Sequence, residues 1–328
     1  MSHSIATAGR PARAFSLTAA AALVLTGCGG AGGGDDLESV TVGAMPIADT
    51  GPMWLGAEQG FYEEEGIDVE FIETTGGAVQ VPGVLAGEYD FAYANIVTGM
   101  VAHDQGLPVE YIINGSSVTG DPEEDVAAIM VPEDSPIESI EDLEGVTMTS
   151  NNLQNVGDTS IRAAMDLNGV DGGSPDFIEL AFGEAMSVAE RGEVDAALLV
   201  EPYKTIALQQ HDARIIMHPY TETHEDFDIT GVLATEELME SDPEMVEAFQ
   251  RATARSLEYA QENPDELREV ILENTTIEED VIEDITLPVF RPDFDREAAE
   301  VIADASYEHG VVDEPIDLDE LLPEEYTR

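Results

Sequence analysis

Polar and aromatic side chains follow the strands that the sequence predicts, and their types suit binding better than catalysis. Asp49 and Thr50 come after the first predicted strand, Tyr93 and Asn95 come at the end of the third, and Ser117 follows the fourth. In an open α/β sheet, ligands bind beyond the carboxyl ends of the strands. We therefore expect these hydroxyl, amide and carboxylate groups to orient a small polar molecule by hydrogen bonds.

An amide-rich loop supplies a second set of candidate ligand-binding residues. Asn151, Asn152 and Asn155 lie with Gln154 in one short stretch that leads into a predicted helix. Free backbone N–H groups and the helix dipole favour negative charge at the start of a helix. The loop therefore predicts a site for a cluster of anionic oxygens, and the alternative is a turn capped by its own amide side chains.

Two carboxylates indicate a different ligand, one that carries an amine or a positive charge. Asp49 and Glu201 would accept hydrogen bonds from an amine or an ammonium group, although Asp49 could instead cap a helix. Trp54 could stack on a ligand, or it could belong to the core because it lies on an apolar helical stripe. Nitrate or sulfonate, a zwitterion, an aromatic acid and an aminopyrimidine therefore all remain open as ligands.

The residue types that carry catalysis form no motif of their own. The six histidines have no zinc spacing, since His224-Glu225 lacks a second histidine four residues after the first. The sequence contains no motif for a serine or cysteine nucleophile and no phosphate-binding Walker loop. We therefore predict a protein that binds a solute without covalent chemistry, a metal or a cofactor.

The beginning of the chain predicts export and a lipid anchor. An uncharged apolar run over residues 15–24 follows two arginines and is shorter than the roughly 20 residues of a membrane-spanning helix. The single cysteine closes Leu25-Thr26-Gly27-Cys28, which resembles the lipobox of bacterial lipoproteins. We expect a lipoprotein signal peptide over residues 1–27, lipidation of Cys28 and a Gly-rich tether over residues 28–37. The alternative is a cleaved signal with an incidental cysteine.

The charge of the chain points to its solvent more than to its ligand. Seventy acidic residues face 12 basic ones, which gives a formal net charge of −58. Nucleic acid is excluded as a partner because it requires a basic patch. The acidic residues are dispersed and 43% of the chain is hydrophobic, so the composition is that of a globular protein. Because salt screens such self-repulsion, we predict adaptation to a saline habitat.

The elements that must position these residues alternate between strand and helix. Residues 40–44 alternate with period two, and residues 54–61 follow helical spacing. The alternation continues as βαβαβαβ and begins again near residue 126, which predicts doubly wound sheets. Gly87–Ala92 and Gly192–Ala197 both read Gly-Glu-x-Asp-apolar-Ala, one copy in each run. The repeat supports two similar lobes.

In this order, the segments resemble the periplasmic-type solute-binding proteins of the nitrate, taurine and alkanesulfonate (SsuA/THI5-like, NMT1-like) family, which also includes binders of pyrimidine precursors related to thiamine synthesis. The resemblance covers most of the chain after the signal and rests on short segments, which are Gly60–Val69, Gly76-Gly77, Gly87–Ala92, Gly106–Val109, Asp134–Ile137, Ser139–Gly145 and Gly192–Ala197 followed by Glu201-Pro202.

The resemblance implies an α/β, two-lobed periplasmic-binding-protein fold, type II-like, with the ligand cleft between the lobes. It implies that residues 38–127 form the first part of lobe 1, residues 128–228 form lobe 2, and residues 229–328 return to lobe 1 and add C-terminal helices. We expect the crossings between the lobes near residues 126–131 and 229–234.

The resemblance also implies the role of the protein. Such proteins are monomers outside the cytoplasm that deliver a small molecule to an ABC permease and its ATPase. One alternative is a sensor lobe that presents its ligand to a membrane receptor. A second is the catalytic cytosolic branch of pyrimidine-synthesising relatives, which needs dedicated cysteine and histidine residues; the export signal and the single cysteine argue against it.

Overall fold

Strands and helices alternate through the first two thirds of the computed structural model, which describes residues 37–121 and 123–328, and helices dominate the rest. The strands are β1 (Glu38–Ala44), β2 (Ile67–Glu73), β3 (Phe91–Asn95), β4 (Val109–Asn114), β5 (Ser116–Ser117), β6 (Ala127–Pro132), β7 (Thr147–Ser150), β8 (Asp176–Glu179), β9 (Ala196–Val200), β10 (Ala213–Met217), β11 (Thr230–Thr235) and β12 (Val289–Phe290).

The helices are α1 (Gly51–Glu58), α2 (Phe61–Glu64), α3 (Gly77–Ala86), α4 (Ile96–Asp104), α5 (Val156–Leu167), α6 (Phe182–Glu190), α7 (Tyr203–Gln210), α8 (Pro219–Thr223), α9 (Glu236–Ser241), α10 (Pro243–Glu262), α11 (Pro264–Asn274), α12 (Glu279–Ile282) and α13 (Arg296–Glu308). Within the described ranges, no helix combines the length and apolarity that crossing a membrane requires. The predicted signal peptide, Cys28 and nearly all of the predicted tether lie outside the described residues.

Two five-stranded sheets share one arrangement. The first has the order β2-β1-β3-β11-β4, and the second has the order β8-β7-β9-β6-β10. In both sheets the first three strands are parallel, and the fourth (β11 or β6) is antiparallel to both of its neighbours. We call the parts built on these sheets lobe 1 and lobe 2. The α/β alternation that the sequence predicts is confirmed.

The repeated Gly-Glu-x-Asp segment forms the same turn in both sheets. Asp90 Oδ2 accepts a hydrogen bond of 2.8 Å from the backbone N–H of Thr41, the residue before the pairing of β1 with β3 begins. Asp195 Oδ2 accepts one of 2.8 Å from the backbone N–H of Thr147 at the start of β7. The glycine before each turn, Gly87 in the first copy, is left-handed, with φ of 68° there. The sequence repeat therefore marks equivalent positions in two related sheets.

The two crossings between the sheets pair with each other as short antiparallel segments. The backbone N–H of Val118 donates to Phe227 O at 2.9 Å, and that of Ile229 donates to Ser116 O at 2.8 Å. The crossings are therefore residues 118–126 and 224–229, and they lie earlier in the chain than predicted. Residues 127–131 and 230–234 belong to β6 and β11, because their apolar side chains fill the interior of each sheet.

The C-terminal helices cover lobe 1 and also reach lobe 2. Phe249 of α10 stacks on Phe91 of β3, with ring centroids 4.1 Å apart. Helix α10 begins at Pro243, where Asp242 caps the helix by accepting from the backbone N–H of Met245. Helix α13 packs against α4 of lobe 1 and α5 of lobe 2. The amphipathic pattern of these helices predicts their existence but not which lobe each one covers.

Candidate functional site

Side chains from both lobes and both crossings enclose a cavity at the carboxyl ends of β1, β3, β7 and β9. We call it the inner cavity, and it offers about 50 Å³ to the centres of water molecules. An outer cavity of about 530 Å³ shares Met45, Ile47, Asn151 and Phe182 with it and continues toward α7. The inner cavity is lined by Met45, Ile47, Asp49, Thr50, Gln80, Tyr93, Asn95 and Thr230 of lobe 1, Asn151, Val156, Phe182, Val200 and Tyr220 of lobe 2, and Val126 and Ile229 of the crossings.

Asp49 is a buried carboxylate in the wall of the inner cavity. Its side chain is 4% exposed, and its Oδ1 accepts a hydrogen bond of 2.5 Å from the Ser116 hydroxyl, which also lies 2.7 Å from Thr230 Oγ1. Burial raises the pKa of Asp49 to about 6, against the opposing effect of the Ser116 hydrogen bond. The alternative role as a helix cap is not fulfilled, since the residue before α1 is Thr50 and no side chain caps that helix. Asp49 therefore presents a carboxylate to the cavity at neutral pH.

The hydroxyl of Tyr93 is a buried polar group without a hydrogen-bond partner among the described residues. Tyr93 lines the inner cavity and is 3% exposed, but its hydroxyl oxygen is itself buried. The oxygen packs close to Gly115, where a Cβ atom would lie only 2.2 Å away. Burial raises the pKa of Tyr93, so its side chain is a neutral phenol at pH 7.

The amide-rich loop between β7 and α5 contributes residues to three cavities of the cleft. Asn151 lines the inner and outer cavities, and Asn152 lines the outer cavity and a third, side cavity of about 260 Å³. Asn155 lines the side cavity, caps α5 with its Oδ1 atom, and donates from Nδ2 to Thr98 Oγ1 of lobe 1 at 3.3 Å. Part of the loop therefore caps its own helix, as the alternative reading of the sequence proposed, and part faces the cleft.

Basic side chains do not contribute to the cleft. In the part of the chain that the structure describes, no lysine, arginine or histidine lines the inner, outer or side cavity, whereas Asp49, Glu73 and Glu179 do. The other walls of the inner cavity combine apolar and aromatic side chains, with Phe182 and Tyr220 on the lobe 2 side, and neutral polar residues. The cleft is therefore an apolar slot with one buried carboxylate and neutral hydrogen-bonding groups.

The sequence matches the family model described as NMT1/THI5 like over residues 48–267, which is most of both lobes. The chain belongs to the NMT1/THI5-like family. Membership of this family confirms the relationship that the short sequence segments predict.

Two curated relatives of this family member are named as binding proteins. The chain is 23% identical over 274 residues to a "Putative aliphatic sulfonates-binding protein" of Bacillus subtilis, covering 80% of this chain and 78% of the relative. It is 24% identical over 225 residues to a "Formylaminopyrimidine-binding protein" of Halalkalibacterium halodurans, covering 68% of this chain and 66% of the relative. The relatives named here are binding proteins rather than enzymes.

Solved structures confirm the fold. The periplasmic aliphatic sulphonate-binding protein SsuA of Escherichia coli superposes with a TM-score of 0.72 at 16% identity, covering 88% of this chain and 98% of that one. The periplasmic nitrate-binding protein NrtA of Synechocystis superposes with a TM-score of 0.61 at 15% identity, covering 76% and 69%. The prediction of a two-lobed periplasmic-binding-protein fold is therefore confirmed.

Three predicted ligand contacts lie outside the cleft. Trp54 packs into the apolar core of lobe 1 and lines none of the three cavities. Ser117 of β5 donates from Oγ to Asp228 of the second crossing at 2.7 Å. Glu201 accepts from the backbone and hydroxyl of Thr205 and lies 3.0 Å from the Lys204 ammonium, so its oxygens are engaged within the protein. These residues hold the cleft walls rather than face the solute.

Gln80 and Tyr220 are among the inner-cavity residues that the sequence did not predict. Gln80 is 1% exposed and donates from Nε2 to Tyr93 O at 2.8 Å and to Thr74 Oγ1 at 3.1 Å, at the edge of the inner cavity. A lone amide in the otherwise apolar helix α3 is a signal that could have found it. Tyr220 stacks on Phe227, with ring centroids 5.3 Å apart, and nothing in its sequence neighbourhood marks it.

Proposed function

We propose that this protein is the extracytoplasmic solute-binding component of an ABC importer, and that its inner cavity takes a small, flat solute carrying an amino group. The observation that carries the ligand class is Asp49, a buried carboxylate in the cavity wall that no basic side chain of the lining balances. A buried charge is costly unless it is paired or hydrogen bonded. An amino group of the solute would supply the donor.

The rest of the inner cavity supports a flat ring. Phe182, Val200 and Val126 give apolar walls, and the Asn151 amide lines the same cavity as the Asp49 carboxylate. An aminopyrimidine combines apolar ring faces with amino donors and ring nitrogen acceptors, so it would suit the carboxylate, the amide and the apolar walls. The relative named as a formylaminopyrimidine-binding protein supports this choice.

A sulfonate is the second candidate, and the amide-rich loop favours it. Asn151 and Asn152 face the outer cavity close to the start of the 12-residue helix α5, where backbone N–H groups favour an anion. The relative named as a sulfonates-binding protein supports it. The sulfonate charge would, however, have to be held near ionised Asp49 without a compensating cation, so we rank it second.

In either case, we infer that the solute acts by favouring closure of the lobes. Residues from lobe 1 and lobe 2 face each other across the inner cavity, so a solute that contacts both would be bound more tightly by the closed form. The closed form would then be the one presented to the permease.

Calorimetry and thermal unfolding in about 2 M KCl test the ligand class, since a solute that binds only the folded state raises the melting temperature. We expect formylaminopyrimidine or a related aminopyrimidine to bind the wild-type protein and to bind Asp49→Asn at least about tenfold more weakly. Glu179→Gln is the matched control, because it removes a negative charge from the outer part of the cleft only. Binding of taurine or an alkanesulfonate by the wild-type protein, with no binding of an aminopyrimidine, would reverse the ranking.

We further propose that the protein is exported, anchored through lipid on Cys28 and adapted to salt. The support is the lipobox-like segment that ends at Cys28, the basic and apolar residues before it, and the formal charge of −58. Metabolic labelling with palmitate tests the anchor. The wild-type chain is expected to carry label and to partition with membranes, and Cys28→Ala is expected to lose both properties. An unlabelled wild-type chain would contradict the anchor.

A role in uptake and a role in sensing are distinguished by the membrane partner. For uptake, we expect the lipidated protein to stimulate the ATPase of a co-purified ABC permease in the presence of the solute. Stimulation of a receptor kinase instead would favour the sensor alternative. Both roles would depend on the same cleft and on the same closure of the lobes, so neither result alters the proposed ligand class.

A further inference from the structure

The only lysine of the chain is buried where the two lobes meet. Lys204, the second residue of α7, is 4% exposed. Its ammonium nitrogen lies 3.0 Å from Glu201 Oε1 and donates to Asp125 O at 2.6 Å and to Thr286 Oγ1 at 2.9 Å. An ammonium group has three N–H donors, so these three oxygens account for all of them.

The three partners belong to three different parts of the fold. Glu201 directly follows β9 of lobe 2, Asp125 lies on the first crossing, and Thr286 lies between α12 and β12 on the lobe 1 side. Glu201 Oε1 also accepts from the backbone N–H of Thr286 at 3.0 Å. Thr286 is therefore held by the lysine through its side chain and by the glutamate through its backbone. We call Glu201, Lys204 and Thr286 the latch.

The rest of α7 follows the latch toward lobe 1. Gln209 Nε2 donates to Asp284 Oδ2 at 2.8 Å, and Ile206 packs against the lobe 1 core cluster that includes Ile285. Tyr203, at the start of the same helix, lines the outer cavity. On the side-cavity flank, the lobes meet through α13 and α5. The latch is thus a polar connection between the lobes on the outer-cavity flank of the cleft.

Fold stability alone gives little reason for an ion pair at this position. Replacing a buried ion pair with apolar groups of similar volume is often neutral or stabilising, because desolvating two charges offsets their attraction. What the pair does provide is geometry, since its hydrogen bonds to Thr286 form only when the lobes hold one relative orientation. A pair of this kind distinguishes one lobe arrangement from another.

We propose that Lys204 is a positioning residue that limits opening of the lobes and so sets how much of the solute-free protein is in the closed arrangement. The inference rests on the proposed function, because closure matters only if the cleft binds a solute. When a smaller fraction of the protein is competent to bind, the apparent dissociation constant rises by the inverse of that fraction. Loss of the latch therefore weakens binding without removing any group that faces the solute.

Small-angle X-ray scattering of the solute-free protein tests the latch independently of the ligand. A compact chain of about 290 residues has a radius of gyration of about 19 Å, and opening of the lobes raises it. We expect a larger radius for Lys204→Met with Glu201→Gln, which removes both charges and leaves no unpaired carboxylate. Thr286→Val is the second variant, because it removes the lobe 1 hydroxyl and leaves α7 intact. A double-mutant cycle is expected to show that the two changes are not additive.

Arg162→Met is the matched control. Arg162 donates to Gly172 O at 2.7 Å and to Pro175 O at 3.3 Å, so its partners lie wholly within lobe 2. We expect this variant to lose stability while keeping the wild-type radius. Saturating formylaminopyrimidine should return the latch variants to the wild-type radius, with affinity lower by roughly three- to tenfold.

Folded latch variants with the wild-type radius would overturn the proposal, as would a radius that rises equally in Arg162→Met. If formylaminopyrimidine binds no variant, including the wild type, while the solute-free radius still rises in the latch variants alone, the latch stands and the proposed ligand fails. The two proposals therefore fail separately.

Discussion

Replacing Asp49 with asparagine is expected to stabilise the solute-free protein at neutral pH and to weaken its binding of an aminopyrimidine. Burial raises the pKa of this carboxyl group from 3.8 to about 6. Each pKa unit corresponds to about 1.4 kcal/mol, so the ionised carboxylate costs the folded state about 3 kcal/mol at pH 7. Asparagine keeps the shape and an oxygen for the Ser116 hydroxyl, and it removes this cost.

The pH dependence follows from the direction of the pKa shift. Between about pH 4 and pH 6 the folded wild-type protein holds a proton on Asp49 that the unfolded chain releases, so the free energy of unfolding falls as pH rises through this window. The contribution of Asp49 is therefore most favourable at low pH and is lost above about pH 6. The other carboxyl groups of the chain also contribute to the pH dependence of the free energy of unfolding, and their contributions cancel in the difference between the wild type and Asp49→Asn.

Urea unfolding in about 2 M KCl measures that difference. We expect Asp49→Asn to gain about 3 kcal/mol relative to the wild type between about pH 4 and pH 7.5. Over the same range, the affinity of the wild type for formylaminopyrimidine should rise as Asp49 ionises, and the variant supplies the baseline for titration of the solute itself. A difference in unfolding free energy that does not change with pH would refute the reasoning, since the charge would then not be desolvated.

Three further perturbations follow from particular contacts. Gly76→Ala, at a φ of 139°, would bring a Cβ atom to 2.2 Å from Asn152 Oδ1 and 3.4 Å from Asn151 Nδ2. Because Asn151 lines the inner cavity, we expect calorimetry to show about tenfold weaker binding of formylaminopyrimidine. Gly66→Ala, at a φ of 84° in open space, should cost roughly 1 kcal/mol of stability and leave this affinity unchanged. Asp90→Ala should cost about 1–2 kcal/mol in urea unfolding and Asp195→Ala less, because the second turn is more exposed; equal losses would contradict this explanation. Dilution from about 2 M to about 0.1 M salt should lower the melting temperature whether the salt is KCl or NaCl, and an ion-specific effect would contradict simple screening.

Local patterning was sufficient to predict most elements of the fold. Strand β3 is a run of apolar residues that is buried on both faces, and α3 ends at left-handed Gly87, so both are marked by nearby residues. Weaker patterns failed. Ile140–Leu143 forms only a single turn of 3-10 helix, and the partly buried strand β10 has no clear alternation of apolar and polar residues. These short elements depend on neighbours from distant parts of the chain.

The candidate site could be predicted only where strand ends reveal it. Asp49, Tyr93, Asn95 and Asn151 were found because the carboxyl ends of strands converge on the cleft. Trp54, for which the sequence leaves a ligand contact and a core position open, lies in the lobe 1 core, because the helix that carries it packs against α10 and α11. Helical spacing indicates that a face is apolar but not what covers it.

The sequence alone determined the family, the α/β alternation, the repeated turn and the set of polar residues near the cleft, because each of these is written in neighbouring residues. Only the tertiary structure decided which of those residues face a common space. It turned Glu201 away from the cleft, and it buried Lys204 against Thr286, more than 80 positions further along the chain. Such contacts depend on how the two lobes meet, and no local pattern of side chains encodes that arrangement.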